Sequence, residues 1–223
     1  MPAPIAGKKY KAMLELFIAV LGGLFSLVNP LGAVPVFLAL TPHYSRLERQ
    51  RTAFLTSLYF SLVLLLFFFG GSLILSFFGI SLNAMRIAGG LVIVHSGYSL
   101  LSGEFAKSRA VNRAVHNEAL EKDDISFAPM AMPLLSGPGS ISFLIGAYAE
   151  HSLWHEHALI ALVILFMGGL IYLILNSAPY LYKLLGEAGL KALSRIMGFL
   201  VMAIGVQYII SGVVQLVSNM IGQ

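Results

Sequence analysis

Between Thr52 and Phe78 the chain carries no charged residue, and five further stretches of similar length carry at most one each. A helix needs about 20 mostly apolar residues to cross the ~30 Å hydrocarbon core of a bilayer. Six stretches qualify: Met13–Leu40, Thr52–Phe78, Asn83–Ser102, Ile125–Ala149, Ala158–Ala178 and Leu193–Val217. The chain is 58% hydrophobic and 11% charged, whereas a soluble domain carries about 25% charged residues. A chain of 223 residues has no interior large enough to hide that much apolar surface, so its solvent is lipid. Backbone groups in lipid must pair within their own segment, which makes helices the spanning structure. The expected fold is all-α and polytopic, with six transmembrane helices in contact with the bilayer.

Two of the six runs are interrupted. Asn29-Pro-Leu-Gly-Ala-Val-Pro35 lies inside the first, and Met132-Pro-Leu-Leu-Ser-Gly-Pro-Gly139 inside the fourth. Proline removes a backbone donor and clashes with the preceding turn, and glycine loosens the backbone. In hydrocarbon such a break is tolerated only against protein or a water-filled cavity. Interrupted segments at corresponding places in two halves of one chain point to a transporter's binding site.

The halves show in the sequence. Arg86-Ile-Ala-Gly-Gly-Leu-Val92 matches Arg195-Ile-Met-Gly-Phe-Leu-Val201, and Leu101-Ser-Gly103 matches Ile210-Ser-Gly212, both at an offset of 109. Pro30 and Pro138 fall one residue short of that offset. The expected organisation is an N-terminal extension (1–12), a three-helix repeat (13–103), a charged connector (104–124) forming a solvated hinge, and a second three-helix repeat (125–223). Three crossings per half make the repeats inverted, with the first helix of each broken. If both broken segments were re-entrant, each half would cross twice and the repeats would be parallel.

With six spans, the loops after the first, third and fifth hold Arg46, Arg49, Arg51, Lys107, Arg109, Arg113, Lys122, Lys183, Lys191 and Arg195. The opposite side holds Lys8, Lys9, Lys11 and Arg86. That bias places both termini outside the cytoplasm, whereas the re-entrant arrangement places both inside. The six-span reading is preferred because both broken segments are long enough to cross. Lys8, Lys9 and Lys11 ahead of an apolar run resemble a signal peptide, but cleavage near Gly32 would destroy a segment with a counterpart later in the chain. The net charge of +4 reflects loop lysines and arginines, with no basic–aromatic stripe and hence no nucleic-acid partner. The absence of cysteine removes disulfides, thiolate metal sites and thiol redox chemistry.

The motifs Asn29-Pro-Leu-Gly-Ala-Val-Pro35, Met132-Pro-Leu-Leu-Ser-Gly-Pro-Gly139, Arg86-Ile-Ala-Gly-Gly90 and Arg195-Ile-Met-Gly198 resemble the MarC family of bacterial and archaeal inner-membrane proteins. The likeness covers Met13 to Val217. It implies a multi-pass prokaryotic inner-membrane protein of six spans in two repeats. It also implies membership of a neutral amino acid transporter family with substrates such as alanine and glycine.

The breaks suit a zwitterion. A half-helix starting after Leu31-Gly32, or after Gly137-Pro-Gly139, offers free N–H groups and a positive dipole end to a carboxylate. Carbonyls before each break suit an ammonium group or Na⁺. The candidate substrate site is therefore Asn29, Pro30, Gly32, Ser136, Gly137, Pro138, Gly139 and Ser140, against the alternative of kinks that only shape packing. His95, isolated in the third span, is a candidate for proton coupling or for a structural hydrogen bond. Arg86 and Arg195 are candidates for gating, against the alternative of interfacial anchors. Gly89, Gly90, Gly168, Gly169, Gly198 and Gly205 are read as close-packing positions, and Tyr98, Gln207 and Asn176 as interhelical hydrogen-bonding groups.

His151 and His155 are spaced i, i+4 beside Glu156, but the order is not His-Glu-x-x-His. No metal site, catalytic residue or cofactor is expected, and the chain is not read as an enzyme. Coupling by H⁺ or Na⁺ and an oligomeric assembly are left open. The leading expectation is a secondary transporter or exporter of small neutral amino acids. The alternative is a membrane scaffold or assembly partner without a solute pathway.

Overall fold

The computed structural model describes residues 4–102 and 124–221, with side chains from Tyr10 onward. The connector expected at 104–124 lies outside the described residues apart from Asp124. The helices are α1 (Pro4–Val28), α2 (Pro30–Leu40), α3 (Arg46–Phe77), α4 (Leu82–Ser102), α5 (Ser126–Leu135), α6 (Pro138–Glu150), α7 (Trp154–Asn176) and α8 (Ala178–Ile221). No strand occurs among the described residues.

Five helical stretches are long and apolar enough to cross a bilayer: Tyr10–Leu40, Arg46–Phe77, Leu82–Ser102, Trp154–Asn176 and Ala178–Ile221. The bent pair α5–α6 makes a sixth if it forms one span. The chain is a multi-pass, all-helical membrane protein. α1 begins at Pro4 and passes through residue 12 without interruption, so the boundary expected there falls inside a helix.

Local chemistry sets the helix ends. Ser45 and Glu48 form a reciprocal cap at the start of α3, each side chain taking the other's backbone N–H. α3 stops at Phe78, and Gly79 turns the chain with a φ of 66° that favours glycine. Gly186, with φ 64°, breaks α8 between the short helical run after Ala178 and the last span.

Burial is arranged for lipid. On α3, Phe60, Leu64 and Phe68 are fully buried, while Leu62, Leu66, Phe69 and Leu73 lie exposed. The Leu62–Phe69 stretch, apolar on every side, thus divides into a core face and a lipid face.

α3 packs on α7 and α4 on α8, while α2 lies against α8 as α6 lies against α4. Direction follows from named contacts. A Cβ at Gly90 would lie 2.7 Å from the Gly205 carbonyl oxygen, and one at Gly97 would lie 2.7 Å from that of Gly198. Residue numbers rise along α4 as they fall along α8, so the two are antiparallel. Phe54 meets Tyr172, and Phe68 meets His157, making α3 and α7 antiparallel as well. Gly71, Gly89 and Gly168 also face neighbouring side chains closely, whereas Gly70 and Gly169 face open space.

Candidate functional site

The first break occupies one residue. Asn29 has φ 46° and ψ 61°, the left-handed conformation that asparagine tolerates better than most residues. α2 restarts at once with Pro30, whose fixed φ and missing N–H suit the first position of a helix. Asn29 Oδ1 and the Asn29 carbonyl both accept from the Gly32 N–H, at 3.3 and 3.0 Å. Two carbonyls therefore lose their helical donors: Ser26, because Pro30 has no N–H, and Val28, because the Gly32 N–H has turned to Asn29. Asn29 is fully buried, and its Nδ2 has no partner among the described residues. Tyr10–Leu40 still runs as one span across the break.

The second break is larger. A residue before proline is pushed to extended backbone, and Ala128 (φ −121°, ψ 122°) and Met132 (φ −135°, ψ 126°) are so placed before Pro129 and Pro133. What remains of α5 is held by wide i→i+5 bonds, Met130 N to Ile125 O and Ser136 N to Ala131 O. α6 then starts at Pro138, and the two pieces bend by 65°. Gly137 at the start of α6 has no side chain to cap it, and among the described residues no side-chain bond is made to the Gly139 or Ser140 N–H. Ser140 Oγ donates to the Gly137 carbonyl at 2.9 Å, and the Ile141 N–H donates to it at 3.2 Å, so that carbonyl is already occupied. Ser136 Oγ, 1% exposed, has no partner among the described residues.

Each half-helix thus begins at its proline, not after the glycine as expected. The physical reason is that proline at the first position costs a helix nothing. Gly32 and Gly139 both lie inside a first turn.

The two breaks are neighbours. A Cβ at Gly139 would lie 3.7 Å from Leu27 Cδ2, two residues before Asn29, and 3.3 Å from Ile93 Cγ1 on α4. One turn away on each helix, Gly23 faces the Phe143 ring. Beside the first break stands a residue that sequence reasoning missed. A Cβ at Gly32 would collide with Asn29 Nδ2 and lie 2.8 Å from Ser194 Oγ. Ser194 directly precedes Arg195, and the arginine drew the attention; the signal was a small polar residue opening a motif whose counterpart opens with Met85.

Arg86 is not an interfacial anchor. It is 2% exposed, with Nη2 bonded to Glu150 Oε1 at 2.8 Å and Nη1 bonded to Gln215 Oε1. The pairing joins α4 to the ends of α6 and α8.

The profile of the MarC family integral membrane proteins matches residues 14–217. The chain belongs to the MarC family. A membrane protein of Buchnera aphidicola (subspecies Acyrthosiphon pisum) is 40% identical over 90% of this chain and 93% of its own length. One from Methanocaldococcus jannaschii is 40% identical over 90% of this chain and 97% of its own. An inner membrane protein of Escherichia coli named MarC is 33% identical over 93% and 99%. No solved structure matches.

In this MarC-family protein two of the remaining candidates face away from the core. His95 and Arg195 are exposed on the outer surfaces of α4 and α8. Gln207 bonds Ser211 within its own helix rather than across helices. His157 stacks on Tyr148 and faces the His151 and Tyr148 carbonyls. Among the described residues no group of three metal-ligating side chains converges.

Proposed function

We propose that this MarC-family chain is a secondary transporter or exporter of small neutral amino acids in a prokaryotic inner membrane, with one substrate held between the two breaks. The observation that carries the reading is a pair of buried, unpartnered polar atoms, Asn29 Nδ2 and Ser136 Oγ, one at each break. Leaving such a group unpaired costs about 1–3 kcal/mol, which a guest bonded to both would recover. The uncapped N–H groups of Gly139 and Ser140 and the Asn29 amide suit a carboxylate. The freed Ser26 and Val28 carbonyls suit an ammonium group or Na⁺. Crowding of Gly139 by Leu27 and Ile93 restricts the guest to a small side chain such as that of glycine or alanine. Antiparallel packing of α3 on α7 and α4 on α8 supports an inverted repeat, because a parallel repeat would run equivalent helices in one direction. On that reading both termini lie outside the cytoplasm, and the Arg86–Glu150 pair is a gate contact.

Protein reconstituted in liposomes is expected to move alanine or glycine, with transport driven by a gradient of H⁺ or Na⁺. Gly139→Leu is expected to abolish flux while the protein still inserts in the membrane. Absence of flux for every neutral amino acid from intact protein would sink the reading.

One observation favours a second reading. The same contacts of Gly139 with Leu27 and Ile93 suit a plugged break in a non-transporting scaffold. A scaffold predicts no rise in melting temperature with alanine or glycine, and a transporter predicts one.

A further inference from the structure

Where α3 begins and α7 gives way to α8, the bundle holds a cavity of ≈ 310 Å³ lined by Arg46, Arg49, Gln50, Asn176, Ser177 and Tyr180. That volume falls in the range of small-molecule pockets, about 300–1,000 Å³. Two positive charges border it, and neither arginine is paired with a carboxylate among the described residues. Arg49 donates only to neutral oxygens, through Nε to Thr41 Oγ1 and through Nη2 to the Thr41 and Tyr44 carbonyls. Those bonds fix the guanidinium without neutralising it. Glu48, the nearest carboxylate in sequence, is turned back onto the Ser45 N–H at 2.7 Å. The cavity thus presents net positive charge beside neutral amide and hydroxyl groups.

Its place in the fold selects the ligand. Arg46 and Asn176 are the first and last residues of two spans, so the cavity lies at the depth of lipid headgroups. Phe54 and Tyr172 meet edge-on just inside it, where hydrocarbon begins, and Tyr180 stands exposed at the rim as aromatic residues do at that depth. Both loops that form it belong to the side richer in lysine and arginine, the side that faces the anionic leaflet.

We propose that this cavity binds the headgroup of an anionic phospholipid of the phosphatidylglycerol type. Its phosphate would sit between Arg46 and Arg49, and its glycerol hydroxyls against Gln50, Asn176 and Ser177. The arginine fork matches phosphate oxygens in pairs. The proposal does not depend on the transport reading.

The test uses full-length protein purified in neutral detergent, titrated with phosphatidylglycerol, phosphatidylcholine or inorganic phosphate. Retained lipid is read by native mass spectrometry, and melting temperature is read alongside. Phosphatidylglycerol is expected to be retained and to raise the melting temperature, and phosphatidylcholine is not. Arg46 makes no side-chain bond among the described residues, so Arg46→Gln should leave the lipid-free melting temperature unchanged. It is expected to weaken phosphatidylglycerol about fivefold. Asn176→Leu, which fills the cavity without changing charge, should also weaken it. Lys191→Gln, an equal charge loss beyond Gly186, should not. Equal retention of the two lipids, or equal losses in Arg46→Gln and Lys191→Gln, would overturn the proposal. Displacement of the lipid by equimolar inorganic phosphate would overturn it too, assigning the cavity to a soluble anion.

Discussion

Arg86 and Glu150 form a 2.8 Å ion pair between α4 and the end of α6, with the arginine buried and the carboxylate 45% exposed. Gln215 of α8 holds the other arm of the guanidinium, while Nε has no partner. Three helices from the two halves of the chain therefore meet on one side chain, whose two partners lie far away in sequence.

That asymmetry of exposure gives the first prediction. Removing the carboxylate strands a buried cation, whereas removing the cation leaves a carboxylate that water can reach. Breaking a fully buried pair costs about 3–5 kcal/mol, and screening at the half-exposed end reduces this. Glu150→Ala should therefore lower stability in detergent by about 2 kcal/mol, and Arg86→Met by about 1 kcal/mol. The double variant should be no less stable than Arg86→Met. Denaturant melts of the three proteins check this, and equal losses in the single variants would refute the asymmetry.

The glycines divide into two groups with opposite expected behaviour. Gly97→Val places a side chain 2.7 Å or less from Gly198 and Met202 atoms on α8. Backbone against backbone cannot give way, so the α4–α8 crossing should open and folded yield should collapse. Gly70 and Gly169 face open space. Changing either to Ala should be neutral or stabilising by up to about 1 kcal/mol, since alanine is the better helix former. Yield and melting temperature from size-exclusion runs report both outcomes.

Much of this was legible in the sequence because lipid makes composition decisive. Span positions follow from uninterrupted apolar length, and both breaks follow from proline chemistry that no tertiary contact can cancel. What could not be read depends on partners distant in the chain. Arg86 reads as an interfacial anchor until Glu150 and Gln215 are brought to it. His95 reads as an intramembrane histidine, but rotation about the helix axis decides which way it faces, and α4, apolar nearly all round, gives no stripe to fix that rotation. The half-helix starts were misplaced by two or three residues because glycine marks flexibility while proline marks the first turn.

Gly32 is the tightest point of the first break. An added methyl must displace the Asn29 amide or the Ser194 hydroxyl. Gly32→Ala should cost about 1–3 kcal/mol, the usual penalty for overpacking a filled site. Adding Ser194→Ala removes one of the two obstructing groups, so the double variant should recover part of the loss. Thermal melts of Gly32→Ala with and without Ser194→Ala test this, and additive losses would mean that the serine is not the obstruction.

Asn29 combines a backbone task with an unpartnered amide, and substitution separates the two. Glycine accepts the left-handed φ of 46° and serves as a helix cap within a few tenths of a kcal/mol of asparagine. Alanine does neither well, losing about 1 kcal/mol for the cap and about another 1 for the conformation. Asn29→Gly should therefore keep the fold while losing Nδ2 and the weak Oδ1 cap on the Gly32 N–H, whereas Asn29→Ala should lose the conformation as well. Ser136→Ala removes the matching orphan at the other break and with it the cost of an unpaired buried hydroxyl, so the empty variant should melt no lower than the parent. If these atoms hold the guest, the empty Asn29→Gly and Ser136→Ala proteins should be no more than about 1 kcal/mol less stable than the parent. Both should also lose the melting-temperature rise given by alanine or glycine, by about tenfold in ligand concentration for each hydrogen bond removed. Variants that respond to alanine as the parent does would leave both polar atoms without a guest and return the breaks to packing.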